Sequence, residues 1–169
     1  MIKLREFKEE DITDLIQILN NTDVTKFLSA KIPAPYTEDD AHWWVTSGSL
    51  MGITRAIEYK GRLVGCISVE RAEFEYSRSG ELGYWIAQEY WRKGIATHAI
   101  NEFTKYIFEN TDIVRIFAAV FSDNTPSAHV LKKCGYSLEA IHKQAMFKND
   151  KFYDNHLYCK LKTLDSEVA

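Results

Sequence analysis

The chain has 169 residues, 46% of them apolar and 27% charged, with a net charge of −3; it suits one folded domain with a substantial core, and the missing basic excess argues against a nucleic-acid partner. No apolar run approaches the roughly 20 residues of a membrane span, and the N-terminal MIKLREFKEED is too charged for a signal peptide, so no membrane partner is expected and the cytoplasm is the expected compartment. Three scattered cysteines, Cys66, Cys134 and Cys159, and five histidines without His-x-x-x-His spacing exclude a disulfide framework and give no metal-ligand pattern, so the thiols read as reduced core residues and no metal is expected.

Residues 2–7 alternate apolar and charged, the pattern of a strand. Glu9, Glu10 and Asp11 then put negative charge in the first turn of a helix with Ile12, Leu15, Ile16 and Leu19 on one face. A second helical stretch is expected over 23–28, ended by Pro33-Ala34-Pro35. Thr37 has the character of an N-cap, with Glu38, Asp39 and Asp40 opening a helix that carries Trp43 and Trp44. Residues 53–59 and 62–69 form a hairpin about Lys60-Gly61, and 71–79 read as a polar loop.

The stretch 80–99 organises the rest of the chain. A strand over 81–86 runs through a basic turn into a helix with Ala96, Ile100, Phe103 and Ile107 at four-, three- and four-residue steps. The first N–H groups of such a helix lack intrahelical partners and the dipole adds positive charge there, which suits an anion, most naturally a phosphate. Residues 114–120 are almost wholly apolar and complete a right-handed strand, helix, parallel-strand unit. A helix over 124–136 comes next, capped by Asn124 and stopped at Gly135, then strands over 137–147 and 152–161 about Asn149-Asp150. The expected fold is α/β: a mixed sheet of about seven strands with helices on both faces, one domain over 1–163, and a polar tail over 164–169.

Arg92-Lys93-Gly94-Ile95-Ala96 resembles the pyrophosphate loop of the Gcn5-related N-acetyltransferases, Gln/Arg-x-x-Gly-x-Gly/Ala, with Gly94 and Ala96 in place and Trp91 at the leading position. Tyr90-Trp91 before the turn and Ala96-Thr97 after it are similar to the Rim-type branch, which acts on protein N-termini, and to its small-molecule relatives; Arg92 stands where that branch often has glycine. Pro33-Ala34-Pro35-Tyr36-Thr37 and the acidic residues after it resemble the same branch. Residues 124–136 resemble a second family motif, Asn-x-x-Ala-x-x-Phe-Tyr-x-x-x-Gly-Phe. Asn124, Gly135 and Tyr136 align with it, Ser127 takes the alanine position, and Val130-Leu131 replace Phe-Tyr. The tyrosine that many members use to protonate the leaving thiolate is therefore absent, and Ser127 is the substitute the branch implies.

The resemblance spans nearly the whole chain. It implies the acyl-CoA N-acetyltransferase fold, acetyl-CoA as cosubstrate, and direct transfer to a primary amine in a ternary complex. Ile86, Arg92, Lys93, Gly94, Ile95, Ala96 and Asn124 form the expected cofactor set, with the β-strand parting from its neighbour near Ile86 so that backbone groups can meet the pantetheine and the oxyanion. Glu81 is the expected base and Ser127 the expected thiolate partner; Asp154 and Glu75 are second-rank bases. Tyr36, Trp43, Trp44, Tyr84 and Asp154 are expected to line the acceptor side. An α-amine of pKa about 8 is roughly one-tenth neutral at pH 7, against about one in 2,500 for a lysine-like amine, a difference of about 3 kcal/mol that favours a protein N-terminus. The alternatives are a polyamine, amino acid or antibiotic acetyltransferase, and a non-catalytic acyl-CoA-binding module; a homodimer is left open.

Overall fold

A computed structural model describes residues 1–163; the expected polar tail lies outside the described residues. The chain forms β1 (Ile2–Arg5), α1 (Ile12–Leu19), α2 (Thr22–Thr25), α3 (Glu38–Thr46), β2 (Ile53–Tyr59), β3 (Arg62–Arg71), β4 (Ser79–Ile86), α4 (Ile95–Asn110), β5 (Arg115–Phe121), α5 (Thr125–Lys133), β6 (Ser137–Lys148) and β7 (Lys151–Leu161), with short 3-10 turns between several of them. One seven-stranded sheet runs β1-β2-β3-β4-β5-β7-β6. Only β4 and β5 pair in parallel.

Helices cover both faces. Leu15, Leu19, Tyr36 and Ala41, from the α1 to α3 region, bury against Ala56 and Leu63. On the opposite face Ile95, Ala99, Ile100, Phe103 and Ile107 of α4 and Leu131 of α5 pack on Ile57, Val64, Ile67, Leu82 and Ile116. Period-2 alternation along the strands makes this division possible, since neighbouring residues such as Ala56 and Ile57 enter different cores. The turns carry the expected chemistry. Lys60 and Gly61 have φ of 52° and 81°, and Asn149 and Asp150 have φ of 51° and 58°, the left-handed pairs that two-residue hairpins require. Thr37 and Asp40 close a capping box on α3, with Asp40 N to Thr37 Oγ1 at 3.2 Å and Thr37 N to Asp40 Oδ2 at 2.8 Å.

Three expectations need correction. The helix expected over 23–28 is the single turn of α2, and Lys148 Nζ donates to the carbonyls of Thr25 and Leu28 at 2.7 and 2.6 Å just beyond it. Residues 71–79 are not wholly loop: Ala72 N donates to Ser79 O at 3.0 Å, so the backbone ladder carries β3 to Arg71 and starts β4 at Ser79 regardless of side-chain polarity. Most consequential, β4 and β5 part well before Ile86. Their last aligned pair is Glu81 with Phe117.

Gly65 holds β3 close to β4 at that opening. A Cβ there would lie 2.5 Å from the Trp85 carbonyl oxygen and 2.8 Å from Ile86 Cδ1, so Gly65→Ala should destabilise the fold by about 1–3 kcal/mol through overpacking. A lowered urea midpoint at unchanged denaturant slope is the expected result.

Candidate active site

The backbone of β4 defines the opening. Ala72 N donates to Ser79 O and Ala87 N to Val64 O at 2.8 Å, so the odd-numbered residues of β4 exchange bonds with β3, and Leu82, Tyr84 and Ile86 direct their N–H and C=O groups toward β5. On β5 the parity is set by Lys162 N to Val114 O at 2.8 Å and Ser122 N to Asp154 O at 3.0 Å, which send even residues to β7 and leave Phe117, Ala119 and Phe121 facing β4. Since the parallel pairing ends at Glu81 and Phe117, two backbone edges face each other across a slot. Two of their acceptors are satisfied locally: Trp91 Nε1 donates to Ile86 O at 2.7 Å and Asn124 N to Phe121 O at 2.8 Å. The edges can pair with an extended chain that carries amides of its own.

At the wide end of the slot, α4 begins. Gly94 is its N-cap at φ 75° and makes no side-chain cap, while His98 N is the first to reach back, to Gly94 O at 3.0 Å. The N–H groups of Ile95, Ala96 and Thr97 therefore have no intrahelical acceptor. Arg92, at φ 60°, adopts the left-handed backbone, which explains why glycine suits this position in similar loops. Arg92, Lys93 and Gly94 are exposed, and no atom lies within 4 Å of where a Gly94 Cβ would stand. Ile95 itself is core, 2% exposed, so its contribution to an anion is its N–H alone. Basic side chains, bare N–H donors and free space fit a pyrophosphate.

The start of α5 forms the other wall. Asn124 Oδ1 accepts from Ser127 N at 3.3 Å, capping the helix, and Ser127 Oγ lies 2.6 Å from the Tyr84 hydroxyl. Burial pushes the Tyr84 phenol up to about 12, with the Ser127 bond opposing. Tyr84 thus faces α5 rather than the acceptor side expected for it.

Glu81 stands at the apex of the opening, on the opposite face of β4. Solvent reaches its side chain, yet protein crowds the carboxyl enough that desolvation raises its pKa; Glu70, its cross-strand neighbour on β3, adds to the rise and Lys31 opposes it.

The remaining sequence candidates are placed less favourably. Asp154 accepts from Gln144 N at 2.9 Å and Lys143 Nζ at 3.1 Å, and those bonds hold its pKa below the usual range, which weakens it as a base. Glu75 sits exposed in the turn between β3 and β4. Tyr36 is a core residue, 6% exposed and packed with Leu15 and Leu19. Trp44 packs edge-on against Phe7 at 5.9 Å, and Trp43 is exposed beside it; both close over Gly48, where a Cβ would meet their rings within 3 Å. Sequence reasoning missed the Trp91 to Ile86 bond and the backbone of Ala119. The i, i+2 spacing of Tyr84 and Ile86 was the available signal that these two share an edge.

A parallel strand pair that opens into an amide-lined slot, next to an uncapped and basic helix N-terminus, defines a coenzyme A-dependent acyltransferase. The chain belongs to the acetyltransferase (GNAT) domain family, whose model matches residues 2–137, and its activity is that of an acetyl-CoA-dependent N-acetyltransferase. It is 29% identical over 165 residues to the uncharacterized N-acetyltransferase YoaA of Bacillus subtilis, covering 94% of this chain and 92% of that one. It is 30% identical over 105 residues to the ribosomal-protein-serine acetyltransferase of Escherichia coli, covering 62% of this chain and 57% of that one. Among solved structures, the ribosomal L7/L12 alpha-N-protein acetyltransferase RimL in complex with coenzyme A superposes with a TM-score of 0.85 at 20% identity, over 97% of this chain and 96% of that one.

Replacing Gly94 by Glu should put a carboxylate against the N–H groups of α4 and lower acetyl-CoA affinity at least about a hundredfold. Because the space around Gly94 is open, the cost to the fold should be only the left-handed backbone, about 1–2 kcal/mol. Titration calorimetry beside a thermal melt separates the two effects.

Proposed function

We propose that the chain acetylates the α-amine of a protein or peptide N-terminus, by direct transfer in a ternary complex and without an acyl-enzyme. The observation that carries this reading is Glu81, a carboxyl of raised pKa at the last β4–β5 pair, beside a slot whose other wall holds Ser127. Arg92, Lys93, Gly94, Ile95, Ala96 and Asn124 hold the cofactor at the two helix starts. Tyr84 and Ile86 offer N–H groups to it along the slot, and the Ile86 N–H is the donor assigned to the carbonyl oxygen as negative charge builds there. Glu81, directly or through an ordered water, takes the proton that the neutral amine must shed as its nitrogen bonds to the acetyl carbon. Ser127 hydrogen-bonds the departing sulfur. The buried Cys134, with its thiol pKa raised by desolvation, is no nucleophile in this scheme.

The acceptor assignment rests on amine chemistry. A base whose pKa has risen only from the carboxylate range is best matched to an amine near pKa 8, not one near 10.4. The similarity to a ribosomal-protein-serine acetyltransferase agrees with it. One observation favours a polyamine instead: Glu70 and Glu81 stand side by side across β3 and β4, and paired carboxylates attract a multiply charged cation. Action in the cytoplasm belongs to the same proposal, in keeping with three buried free thiols.

A panel of N-terminal peptides, amino acids and polyamines, assayed by coenzyme A release with mass detection, tests the acceptor. A kcat/KM at least about tenfold higher for peptides supports the α-amine, and the reverse order supports the polyamine. Glu81→Gln should lower kcat at pH 7 by about ten- to a hundredfold. In the parent, the rate should fall as pH drops through the raised Glu81 pKa and the base is protonated. In the variant that limb should vanish, and the rate should climb with pH as the amine loses its own proton near pH 8. A pH–rate comparison of the two proteins checks this.

A further inference from the structure

Tyr84 and Ser127 are joined by a 2.6 Å hydrogen bond between β4 and α5, yet an acetyl transfer written with Glu81 and Ser127 gives the tyrosine's hydroxyl nothing to do. Its ring packs against the core cluster that includes Leu82 and Leu131. Its hydroxyl cannot act on the acceptor amine in place of Glu81, because the two side chains leave β4 on opposite faces. Among the described residues, Ser127 Oγ is the hydrogen-bond partner of that hydroxyl.

We infer that Tyr84 is a positioning residue for the transfer: its phenol donates to Ser127 Oγ and so turns the serine's single proton into the slot, toward the departing sulfur. The inference rests on the role proposed above for Ser127. Direction follows from acidity and valence. A phenol is a far stronger acid than an alcohol, so in a phenol–alcohol pair the phenol is the better donor. A serine hydroxyl has one hydrogen, and donating it to Tyr84 would leave only lone pairs to face an anionic sulfur.

The pair hydrogen-bonds the thiolate and does not protonate it. In the transfer, the amine nitrogen bonds to the acetyl carbon, the C–S bond breaks, and sulfur keeps the bonding electron pair. The ammonium proton goes to Glu81 or its water. With the Tyr84 phenol pushed up to about 12 and a thiol near 8.5, moving a proton from Tyr84 through Ser127 to sulfur is uphill by a factor on the order of 3,000. Net donation is therefore disfavoured, while a shared proton between Ser127 and a full sulfur anion is favoured.

The test is a double-mutant cycle with a spectroscopic readout. Tyr84→Phe keeps the ring and its packing. It should lower kcat about 5- to 20-fold, leave the acetyl-CoA KM within about twofold, and cost less than about twofold when Ser127 is already Ala. Ser127→Ala alone should cost about ten- to a hundredfold. The thiol of bound coenzyme A, titrated by the ultraviolet absorbance of its thiolate, should ionise at lower pH than free coenzyme A in the parent, and its pKa should rise in either single variant. An equal loss from Tyr84→Phe in both backgrounds, or a bound thiol indifferent to Tyr84→Phe, overturns the inference. If Tyr84→Phe does not fold, the parent still decides, since a bound thiol no more acidic than free coenzyme A also overturns it. A parent that binds coenzyme A and acidifies its thiol yet acetylates no amine defeats the proposed reaction instead, and leaves the placement of Tyr84 supported.

Discussion

The parting of β4 from β5 is the constraint on which the rest of the site depends. Backbone N–H and C=O groups left unpaired in a buried place cost about 1–3 kcal/mol each, so a sheet does not open in its middle without compensation. Here the compensation is local. Beyond the opening each strand turns into the start of a helix, and that turn returns a donor to the abandoned edge: Trp91 to the Ile86 carbonyl, Asn124 N to the Phe121 carbonyl. What remains includes the N–H and C=O of Tyr84 and the N–H of Ile86 on one side and the backbone of Ala119 on the other. A linear chain bearing amides can satisfy these in the manner of an added strand.

Two helix N-termini flank the same slot, and they differ in a way that assigns their tasks. The start of α5 is capped by its own side chain, with Asn124 Oδ1 accepting from Ser127 N. The start of α4 does not, because its N-cap is a glycine at positive φ with no side chain to give. An anion gains most where donors are bare and the dipole is uncompensated, and Arg92 and Lys93 stand at that end alone. In the proposed reaction the uncapped helix and the basic turn serve as two parts of one phosphate site.

Strand alternation divides the chemistry. On one face of β4, Glu81 and Trp85 look toward the α1 to α3 region; on the other, Leu82, Tyr84 and Ile86 look toward α4 and α5. In the proposed reaction the amine arrives on the first face and the sulfur departs toward the second, so base and thiolate partner never compete for one proton. Carboxylates are sorted by the same geometry. Asp154 is tied down by a backbone N–H and a lysine, and is thereby made a weaker base, whereas Glu81 is crowded, neighboured by Glu70 and left free to accept.

The sequence by itself determined most of the elements and the turn that opens α4. Alternation marked the strands, the Thr37 box and the Asn124 cap marked helix starts, Lys60-Gly61 and Asn149-Asp150 marked the hairpins, and the basic turn at Gly94 marked a helix start with bare N–H groups, because each is a local property of a few adjacent residues. It also singled out Glu81 and Ser127, through resemblance more than through physics. Only the tertiary structure decided where the sheet opens, at Glu81 and not at Ile86, since pairing between strands separated by a whole helix is set by how that helix packs. It alone joined Tyr84 to Ser127 across 43 residues, and it moved Tyr36 into the core, where Leu15 and Leu19 bury its ring. Those are contacts between elements, and residue spacing along one element carries no information about what the next element brings to meet it.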